Sequence, residues 1–285
     1  MSNLERVCLI AGAGHSGSTL LGMILGSHSR VFYAGEAAKA RYIGNSKTAE
    51  RKRVCKLCGE GCVVWGHFNE GVTDPTERIY ERIAERSGKG IIVDSTKNLP
   101  WTLDRISDMN AANVPVVLVL LLRDGRAVVN SRLRKYPDRN AGEVIAKWKA
   151  QITGAQKLYD EFRGTRLKIR YEDLATDSDS VVRPIFDALG LQPEPGLTEF
   201  YRFDHHPLGG NNGTQYQVAR AQSIELPSAV EMSENRRKYY EAHPAGIRLD
   251  MRWVDEMTEE ARELFDEMAG ETNRELAYEV IHESR

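Results

Sequence analysis

The chain has 285 residues, of which 41% are hydrophobic and 28% are charged, and its formal net charge at pH 7 is −2. This composition predicts a globular protein with a sizeable core, in one large domain or two small ones. General polyanion binders are usually basic overall, so the charge argues against non-specific nucleic-acid binding while allowing a local basic pocket. Four cysteines do not suggest a disulfide scaffold.

The apolar runs predict a protein without a membrane span. Residues 1–6 lead directly into a predicted strand and lack the features of a signal peptide. The longest apolar run, 114–122, contains a proline and falls well short of the roughly 18 residues of a membrane helix. We therefore expect a cytoplasmic protein.

Apolar periodicity and turn residues predict strands that alternate with helices. Strands are predicted at 7–11, 90–94, 115–122 and 167–171. Helices are predicted at 18–27, 75–86, 100–112, 125–135, 142–162 and 179–189, with carboxyl-terminal helices over 255–285 that break near Gly270. Irregular structure is predicted for a cysteine-containing insert at 30–70 and for a candidate lid loop at 204–230. Such alternation implies right-handed crossovers, so we expect a single α/β domain, 1–285, with a central parallel sheet flanked by helices.

The first predicted strand runs through a glycine-rich turn into a helix, which is typical of a phosphate cradle. Glycines let the backbone approach an anion, and the N–H groups at the start of the helix point at it. The spacing is close to the nucleotide-binding pattern G-x-x-x-x-G-K-[ST], with Gly12, Gly17 and Thr19 in place. Ser18 stands where that pattern has a lysine, and the basic residue of this loop is the earlier His15.

A second anion motif follows the predicted strand 115–122. Arg123 ends the strand, Ser131 comes eight residues later, and Lys135 lies one helical turn beyond it. A guanidinium fork at a helix N-terminus suits a phosphate, although a salt-bridged helix start has the same pattern. Because ligands in open α/β sheets bind at the carboxyl ends of the strands, the two motifs together predict one anion site.

These motifs resemble those of the sulfotransferases that use 3′-phosphoadenosine-5′-phosphosulfate (PAPS). The family's first motif is Lys- or Arg-Ser-Gly-Thr-Thr after a strand, and here it reads His15-Ser16-Gly17-Ser18-Thr19. The resemblance implies a P-loop-like sulfotransferase fold, a 5′-phosphosulfate in this loop, and a 3′-phosphate held by Arg123 and Ser131. It also implies that PAPS is the co-substrate and adenosine 3′,5′-bisphosphate (PAP) the product. A bound polyanion should favour the charged form of His15.

The resemblance extends to catalytic residues. Many family members place a basic residue that contacts the transferring sulfonate just past the second of the predicted strands, and Lys97 matches it. Protein-tyrosine sulfotransferases use a glutamate in a Gly-Glu pair as base, and Glu36 after Gly35 matches that pair. A capping or surface carboxylate is the plainer interpretation of Glu36, and His28 is the second candidate for the base.

Two further segments match the family's nucleotide site. The segment 170–174, at the end of the predicted strand 167–171, resembles one that places a tyrosine near the adenine, here Tyr171, although a plain strand end explains it almost as well. The glycine-rich loop 209–215 is expected to close over the nucleotide.

The cysteines of the insert form a separate pattern. Cys55, Cys58, Cys62 and His67 have spacing compatible with a small zinc site. Reduced thiols that pack a loop, or a local disulfide, are together favoured over zinc. Cys8, inside the first predicted strand, is expected to be a small core residue.

The sequence therefore predicts an enzyme that moves a sulfonate from PAPS to a hydroxyl-type acceptor, with Glu36 as base. The acceptor could be a small molecule, a sugar, a lipid or a peptide, and the oligomeric state is left open. In-line geometry and electrostatics can drive this transfer without a metal. One alternative is a P-loop kinase or triphosphatase with Asp94 as a magnesium ligand, and another is a non-catalytic module built around the cysteine insert.

Overall fold

The computed structural model describes residues 3–228 and 230–278 of the chain. The strands are β1 (Arg6–Gly12), β2 (Val31–Gly35), β3 (Ile91–Asp94), β4 (Val116–Leu122) and β5 (Thr165–Arg170). They pair in the order β2-β3-β1-β4-β5, and every pairing is parallel. The predicted α/β fold with a central parallel sheet is confirmed.

Helices connect the strands and pack against the sheet. The α-helices are α1 (Ser18–Gly26), α2 (Glu50–Arg53), α3 (Ile79–Ser87), α4 (Leu99–Ala111), α5 (Gly125–Lys135), α6 (Ala141–Glu161), α7 (Tyr171–Thr176), α8 (Ser178–Ala188), α9 (Asn212–Gln222), α10 (Glu234–Glu241), α11 (Trp253–Glu256) and α12 (Glu259–Asn273). Short 3₁₀ turns span Ala37–Tyr42 and Phe200–Arg202. In the described part of the chain, every helix is too short or too polar to cross a membrane.

The central strands of the sheet are apolar. The connections that follow β1 and β4 run towards opposite edges of the sheet. All seven residues of β4 are buried, as expected of a parallel strand that is covered on both faces. After β1 the chain crosses to β2 on one side, and after β4 it crosses to β5 on the other. The carboxyl ends of β1 and β4 therefore border the crevice in which open α/β sheets bind ligands.

The two outer strands differ from the middle of the sheet and from each other. The five residues of β2 are buried, whereas all six residues of β5 are exposed or half-buried. Near its carboxyl end, β2 is joined by a further backbone segment, because Leu208 forms a parallel bridge with Gly35. A later part of the chain thus extends the sheet beside the predicted site.

Two predicted irregular regions contain regular structure, so these predictions were wrong. The insert 30–70 begins with β2, a five-residue apolar run that pairs with β3. The candidate lid 204–230 contains α9, whose first turn is capped by Asn211. Its Oδ1 accepts from the N–H groups of Gly213 (2.8 Å) and Thr214 (3.2 Å). A glycine-rich sequence is typical of a loop, but here the glycines lie at the start of a helix.

Two predicted helix limits were also wrong. The helix predicted from residue 75 begins at Ile79, because Asp74 Oδ1 accepts from the Thr76 N–H at 2.8 Å and closes a turn there. The residue before the helix, Arg78, has a left-handed φ of 46°. At the other end of the chain, α12 continues through Gly270 without the predicted break. The rest of the predicted carboxyl-terminal helical region, from 279 on, lies outside the described residues.

Candidate functional site

A cavity of about 260 Å³ opens at the carboxyl ends of the strands and collects nearly all of the predicted site residues. Those that line it are His15, Gly17, Ser18, Thr19, Glu36, Lys97, Arg123, Ser131, Lys135 and Tyr171. They come from the segments and helices that follow all five strands, as expected if parallel strands deliver side chains to one edge of the sheet.

The glycine-rich loop after β1 needs its glycines for close approach. Gly12 has a φ of 134°, and a Cβ there would lie 2.4 Å from the Leu121 carbonyl oxygen of β4. Gly17 has a φ of 93°, and a Cβ there would lie 2.5 Å from the ring of Tyr171. Any side chain at either position would push the loop away from the sheet or from the tyrosine. The loop is therefore held close to β4 on one side and to Tyr171 on the other.

The hydroxyl side chains of this loop have different surroundings. Ser16 is only 1% exposed, and its Oγ has no hydrogen-bond partner among the described residues. Thr19 Oγ1 accepts from the Asn211 N–H at 2.9 Å, which ties the start of α9 to α1. Ser18 lines the cavity. Of the two serines, Ser18 is therefore the one that borders the cavity.

His15 joins the two predicted anion motifs. Its Nδ1 lies 2.9 Å from Ser131 Oγ, and its carbonyl oxygen accepts from Arg123 Nη1 at 2.9 Å. These contacts hold the β1 loop against the end of β4 and against α5. His15 and Arg123 are 108 residues apart in sequence, and this hydrogen bond brings the two motifs together.

The imidazole of His15 is neutral near pH 7 in this structure. The pKa of His15 is lowered to about 3, first by burial and then by the positive charges of Lys135, Arg132, Arg123 and Arg236. An anionic ligand among these cations would raise the pKa again, because it favours the protonated ring. The protonation state of His15 should therefore depend on what the cavity binds.

Arg123 is buried and is fixed on three sides. Its Nη2 donates to the Asp250 carbonyl oxygen at 3.1 Å and lies 3.4 Å from Asp250 Oδ2. Its guanidinium carbon stacks 4.1 Å above the centre of the Tyr171 ring. Arg123 Nε is buried and has no hydrogen-bond partner among the described residues. Because a buried N–H without a partner is costly, it is a candidate for contact with a ligand.

Lys97 extends from the end of β3 to the end of β1. Its Nζ donates to the carbonyl oxygens of Ile10 and Ser95, both at 2.9 Å. Burial lowers the pKa of Lys97 to about 8, against the opposing effect of Glu36 and Asp94. The ammonium group is therefore charged at neutral pH and loses its proton in mildly alkaline solution.

Glu36 follows β2 and faces the same cavity. Its Oε1 accepts from the Gly210 N–H at 3.1 Å, and its Oε2 lies 2.9 Å from Lys39 Nζ. Burial acts to raise the pKa of Glu36, but Lys39, the Gly210 N–H and Lys97 outweigh it and hold the pKa below its usual range. The carboxylate is thus ionised and able to accept a proton at neutral pH.

His28, the second candidate for the base, lies in a different part of the molecule. It precedes β2, whereas Glu36 follows that strand. Its Nε2 lies 3.2 Å from the Gln192 carbonyl oxygen, and its ring packs 5.5 Å from that of Phe186. These contacts make His28 part of the packing between α1 and α8, at the other end of β2 from the cavity.

Asp94, the magnesium ligand required by the kinase alternative, is buried and fully engaged. Its Oδ1 accepts from the N–H groups of Ala37 (3.1 Å) and Thr96 (2.8 Å) and from Thr96 Oγ1 (2.7 Å). Its Oδ2 accepts from Tyr80 Oη (2.8 Å) and Trp101 Nε1 (2.9 Å). Asp94 therefore organises the start of α4 and the turn after β2, and its oxygens are occupied by protein donors.

The sequence interpretation missed one wall of the cavity, which comes from the carboxyl-terminal third of the chain. This wall includes Arg236, Tyr239, Tyr240, Arg248 and Arg252. A signal for it is present in α10, where two arginines, a lysine and two tyrosines follow one another at 236–240. The run resembles an ordinary solvated helix face, and only the fold brings it opposite His15.

The cysteines of the insert form a group with a different histidine from the one predicted. Ligand-type atoms of Cys55, Cys58, Cys62 and His206 all lie within 4.8 Å of one another. His67 is 84% exposed, and its Nδ1 lies 3.3 Å from a carboxylate oxygen of Glu70. The predicted fourth residue was therefore wrong, because a local spacing pattern carries no information about a histidine that is distant in sequence.

All four cysteines are free thiols in the structure. Cys8 is fully buried in β1, where it was expected as a small core residue.

The structure is that of an α/β protein with a cavity lined by basic side chains at the ends of its parallel strands. A sulfotransferase family model matches residues 8–195, about two thirds of the chain. The chain belongs to the sulfotransferase family. No curated protein sequence matches it significantly.

Solved structures of sulfotransferases have the same fold. The sulfotransferase domain of the Synechococcus PCC 7002 olefin synthase is 20% identical, with a TM-score of 0.54 over 85% of this chain and 95% of that one. The sulfotransferase domain of the curacin biosynthetic pathway is 18% identical, with a TM-score of 0.53 over 97% and 99%. Mouse sulfotransferase SULT7A1, complexed with PAP, is 10% identical, with a TM-score of 0.53 over 96% and 90%. At these identities the likeness concerns the fold.

Proposed function

We propose that this sulfotransferase takes the sulfonate from PAPS and transfers it to a hydroxyl group of a small molecule, sugar, lipid or peptide. The observation that carries the proposal is the single cavity in which the β1 loop, Arg123, Lys97 and Glu36 converge. This cavity combines a glycine-rich loop, basic side chains and a candidate base at one end of the sheet. As the sequence predicts, we expect the enzyme to act in the cytoplasm.

Two parts of the cavity would hold the two phosphate ends of the nucleotide. The N–H groups of the β1 loop and the start of α1 suit the 5′-phosphosulfate, because they combine backbone donors with the helix dipole. Arg123, Ser131 and Lys135 suit the 3′-phosphate, and the unpartnered Arg123 Nε supplies a donor. The Tyr171 ring, which stacks on Arg123, would lie near the adenine.

Glu36 and Lys97 would carry the transfer itself. As the acceptor oxygen forms its bond to sulfur, the bond from sulfur to the 5′-phosphate oxygen breaks, and PAP leaves. Glu36 would accept the proton of the acceptor hydroxyl. Lys97, charged at neutral pH, would stabilise the negative charge that spreads over the sulfonate and the leaving phosphate.

The kinase or triphosphatase alternative has less support than sulfonate transfer. Ser18 stands at the position of the nucleotide-binding lysine, and the oxygens of Asp94 are occupied by protein donors. Binding of magnesium ATP with no response to PAP would favour that alternative.

The test is a comparison of PAP with adenosine 5′-monophosphate by isothermal calorimetry. We expect PAP to bind the wild-type protein more tightly, because its 3′-phosphate contacts Arg123 and Ser131. In Ser131→Ala the advantage of PAP should fall about tenfold, as expected for the loss of one hydrogen bond to a charged group. Labelled PAPS is then tested against a panel of acceptors. Failure of PAP to bind would overturn the proposal.

A further inference from the structure

The cysteine–histidine cluster, Cys55, Cys58, Cys62 and His206, does not take part in the proposed transfer. Within residues 3–228 and 230–278 it is the one group of three or more His, Cys, Asp or Glu side chains close enough to hold a metal. Cys55 and Cys62 are buried, whereas Cys58 is exposed. Three sulfurs and one imidazole nitrogen are a donor set that zinc prefers in proteins.

The backbone around Cys55 forms a tight turn that positions two of the sulfurs. The Cys58 N–H points at Cys55 Sγ over 3.5 Å. The Gly59 N–H donates to the Cys55 carbonyl oxygen at 3.1 Å, and the φ of Gly59 is 70°. This tight turn brings the first two sulfurs together and directs an N–H group to one of them.

His206 is oriented as metal-binding histidines usually are. Its Nε2 lies 3.1 Å from Asp204 Oδ2, and its Nδ1 lies 3.1 Å from Cys58 Sγ and 3.5 Å from Cys62 Sγ. A carboxylate on one ring nitrogen places the proton there and leaves the lone pair of the other nitrogen for a metal. Nδ1 is therefore the ligand atom, and it already faces the sulfurs.

Aromatic residues hold the His206 segment in this position. The His206 ring stacks on Phe32 of β2, with centroids 6.4 Å apart and ring planes 17° from parallel. Trp65 Nε1 donates to the His206 carbonyl oxygen at 2.5 Å. Cys62 and His206 are 144 residues apart in sequence, so the fold brings the potential ligand atoms of the cluster together.

We propose that the Sγ atoms of Cys55, Cys58 and Cys62 and the Nδ1 atom of His206 bind one zinc ion in a tetrahedral site. Three thiols release their protons to solvent as three zinc–sulfur bonds form, and no atom is oxidised or reduced. Four protein ligands leave no open position, so the ion has a structural role. Binding of the ion does not depend on the reaction that the enzyme performs.

The site would fix the segment that holds Glu36. Beyond His206, the Pro207 carbonyl oxygen accepts from the Lys56 N–H at 3.0 Å, and Leu208 exchanges backbone hydrogen bonds with Ala34 and Glu36. Two residues further on, the Gly210 N–H reaches the Glu36 carboxylate. The zinc ion therefore clamps the insert to the chain that orients the proposed base, and this consequence rests on the proposed function.

The experiment measures metal by plasma mass spectrometry in tag-free protein purified without chelators. We expect about one zinc per chain, as for a closed four-ligand site. His206→Gln and Cys58→Ser should each hold fewer than about 0.2 zinc per chain, since a structural site needs all four ligands. His67→Gln is the matched control, because His67 has the predicted spacing but lies outside the cluster, and it should keep the wild-type content.

Wild-type protein alone provides a second readout if the variants fail to fold. After exchange of zinc for cobalt in reducing buffer, we expect the absorption bands of tetrahedral cobalt and of thiolate-to-cobalt charge transfer. Chelation should speed hydrogen exchange of the amides at 206–210. Fewer than about 0.2 zinc per chain in wild type after incubation with zinc would overturn the inference, as would equal zinc content in wild type and His206→Gln. PAP binding without zinc refutes this inference alone, whereas zinc without PAP binding refutes the proposed function alone.

Discussion

The two carboxylate oxygens of Glu36 have different neighbours, and this difference gives a test of its role. An amide in Glu36→Gln can still accept from the Gly210 N–H, but it cannot take a proton from an acceptor. We expect the dissociation constant for PAP to stay within about twofold and turnover to fall by about 10²- to 10⁴-fold, the usual contribution of a general base. Calorimetry and rates with labelled PAPS measure the two effects. Near-normal turnover would remove Glu36 from the mechanism.

Lys97 gives a prediction about pH. Its pKa is lowered to about 8 by burial, so the ammonium group is charged below this pH and neutral above it. If the charge stabilises the transferring sulfonate, kcat/KM should fall as the pH rises through about 8, because kcat/KM reports the free enzyme. The alkaline fall in kcat should occur at a higher pH than the fall in kcat/KM, since the negative charge of the bound donor raises the pKa of Lys97.

Lys97→Arg is the control for this profile. A guanidinium keeps its charge throughout the accessible pH range, so the alkaline fall in kcat/KM should disappear even if the rate is lower. An unchanged alkaline fall in the arginine variant would assign the titration to another group.

At the scale of elements, the contact between the end of β2 and the 208 segment depends on a glycine. Gly35 has a φ of 77°, and a Cβ there would lie 2.3 Å from the Leu208 carbonyl oxygen. Gly35→Ala should lower the free energy of unfolding by about 2 kcal/mol or more, because it adds a backbone clash to left-handed strain. Gly44 has a φ of 84° and open space around its Cβ position. Gly44→Ala should cost only about 1 kcal/mol.

Chemical denaturation of the two alanine variants separates clash from strain. Equal losses of unfolding free energy at Gly35 and Gly44 would mean that the approach of Leu208 contributes nothing. A larger loss at Gly35 supports the contact between β2 and the 208 segment.

The sequence predicted those elements that carry a strong local signal. β4 was expected within one residue, because a long apolar run ends at Arg123, and α5 was expected at its observed limits. β2 was missed because its five residues lie beside a cysteine-rich insert. The pairing of His206 with the cysteines and the entry of Arg236 into the cavity were missed for another reason. Both depend on contacts between distant segments, which a local pattern cannot encode.

At the scale of the whole molecule, a cationic cavity lies in a chain of net charge −2. Its walls come from segments spread along the chain from Gly14 to Arg252. Positive charges are thus concentrated where an anion would bind. Such concentration attracts anionic ligands and makes their affinity fall as salt rises.

Arg236 tests the contribution of the carboxyl-terminal wall. Arg236→Gln removes a charge that lines the cavity and acts on His15, so we expect PAP affinity to fall about tenfold, as for the loss of one charge-assisted contact. Arg237→Gln is the matched control, because Arg237 is the next residue of α10 and is exposed. Thermal stabilisation by PAP measures both variants. Equal effects would indicate general charge attraction in place of a specific contact.

The unequal edges of the sheet have a consequence for the behaviour of the protein at high concentration. Open strand edges can pair with strands of other molecules and start aggregation. At β2 the Leu208 segment occupies the carboxyl end of that edge, while the exposed residues of β5 include Arg166 and Lys168. Backbone pairing therefore protects the β2 edge from other strands, and repulsion between like charges protects the β5 edge. Loss of the 208 contact would expose an apolar strand, so a protein weakened there should precipitate before it loses its secondary structure.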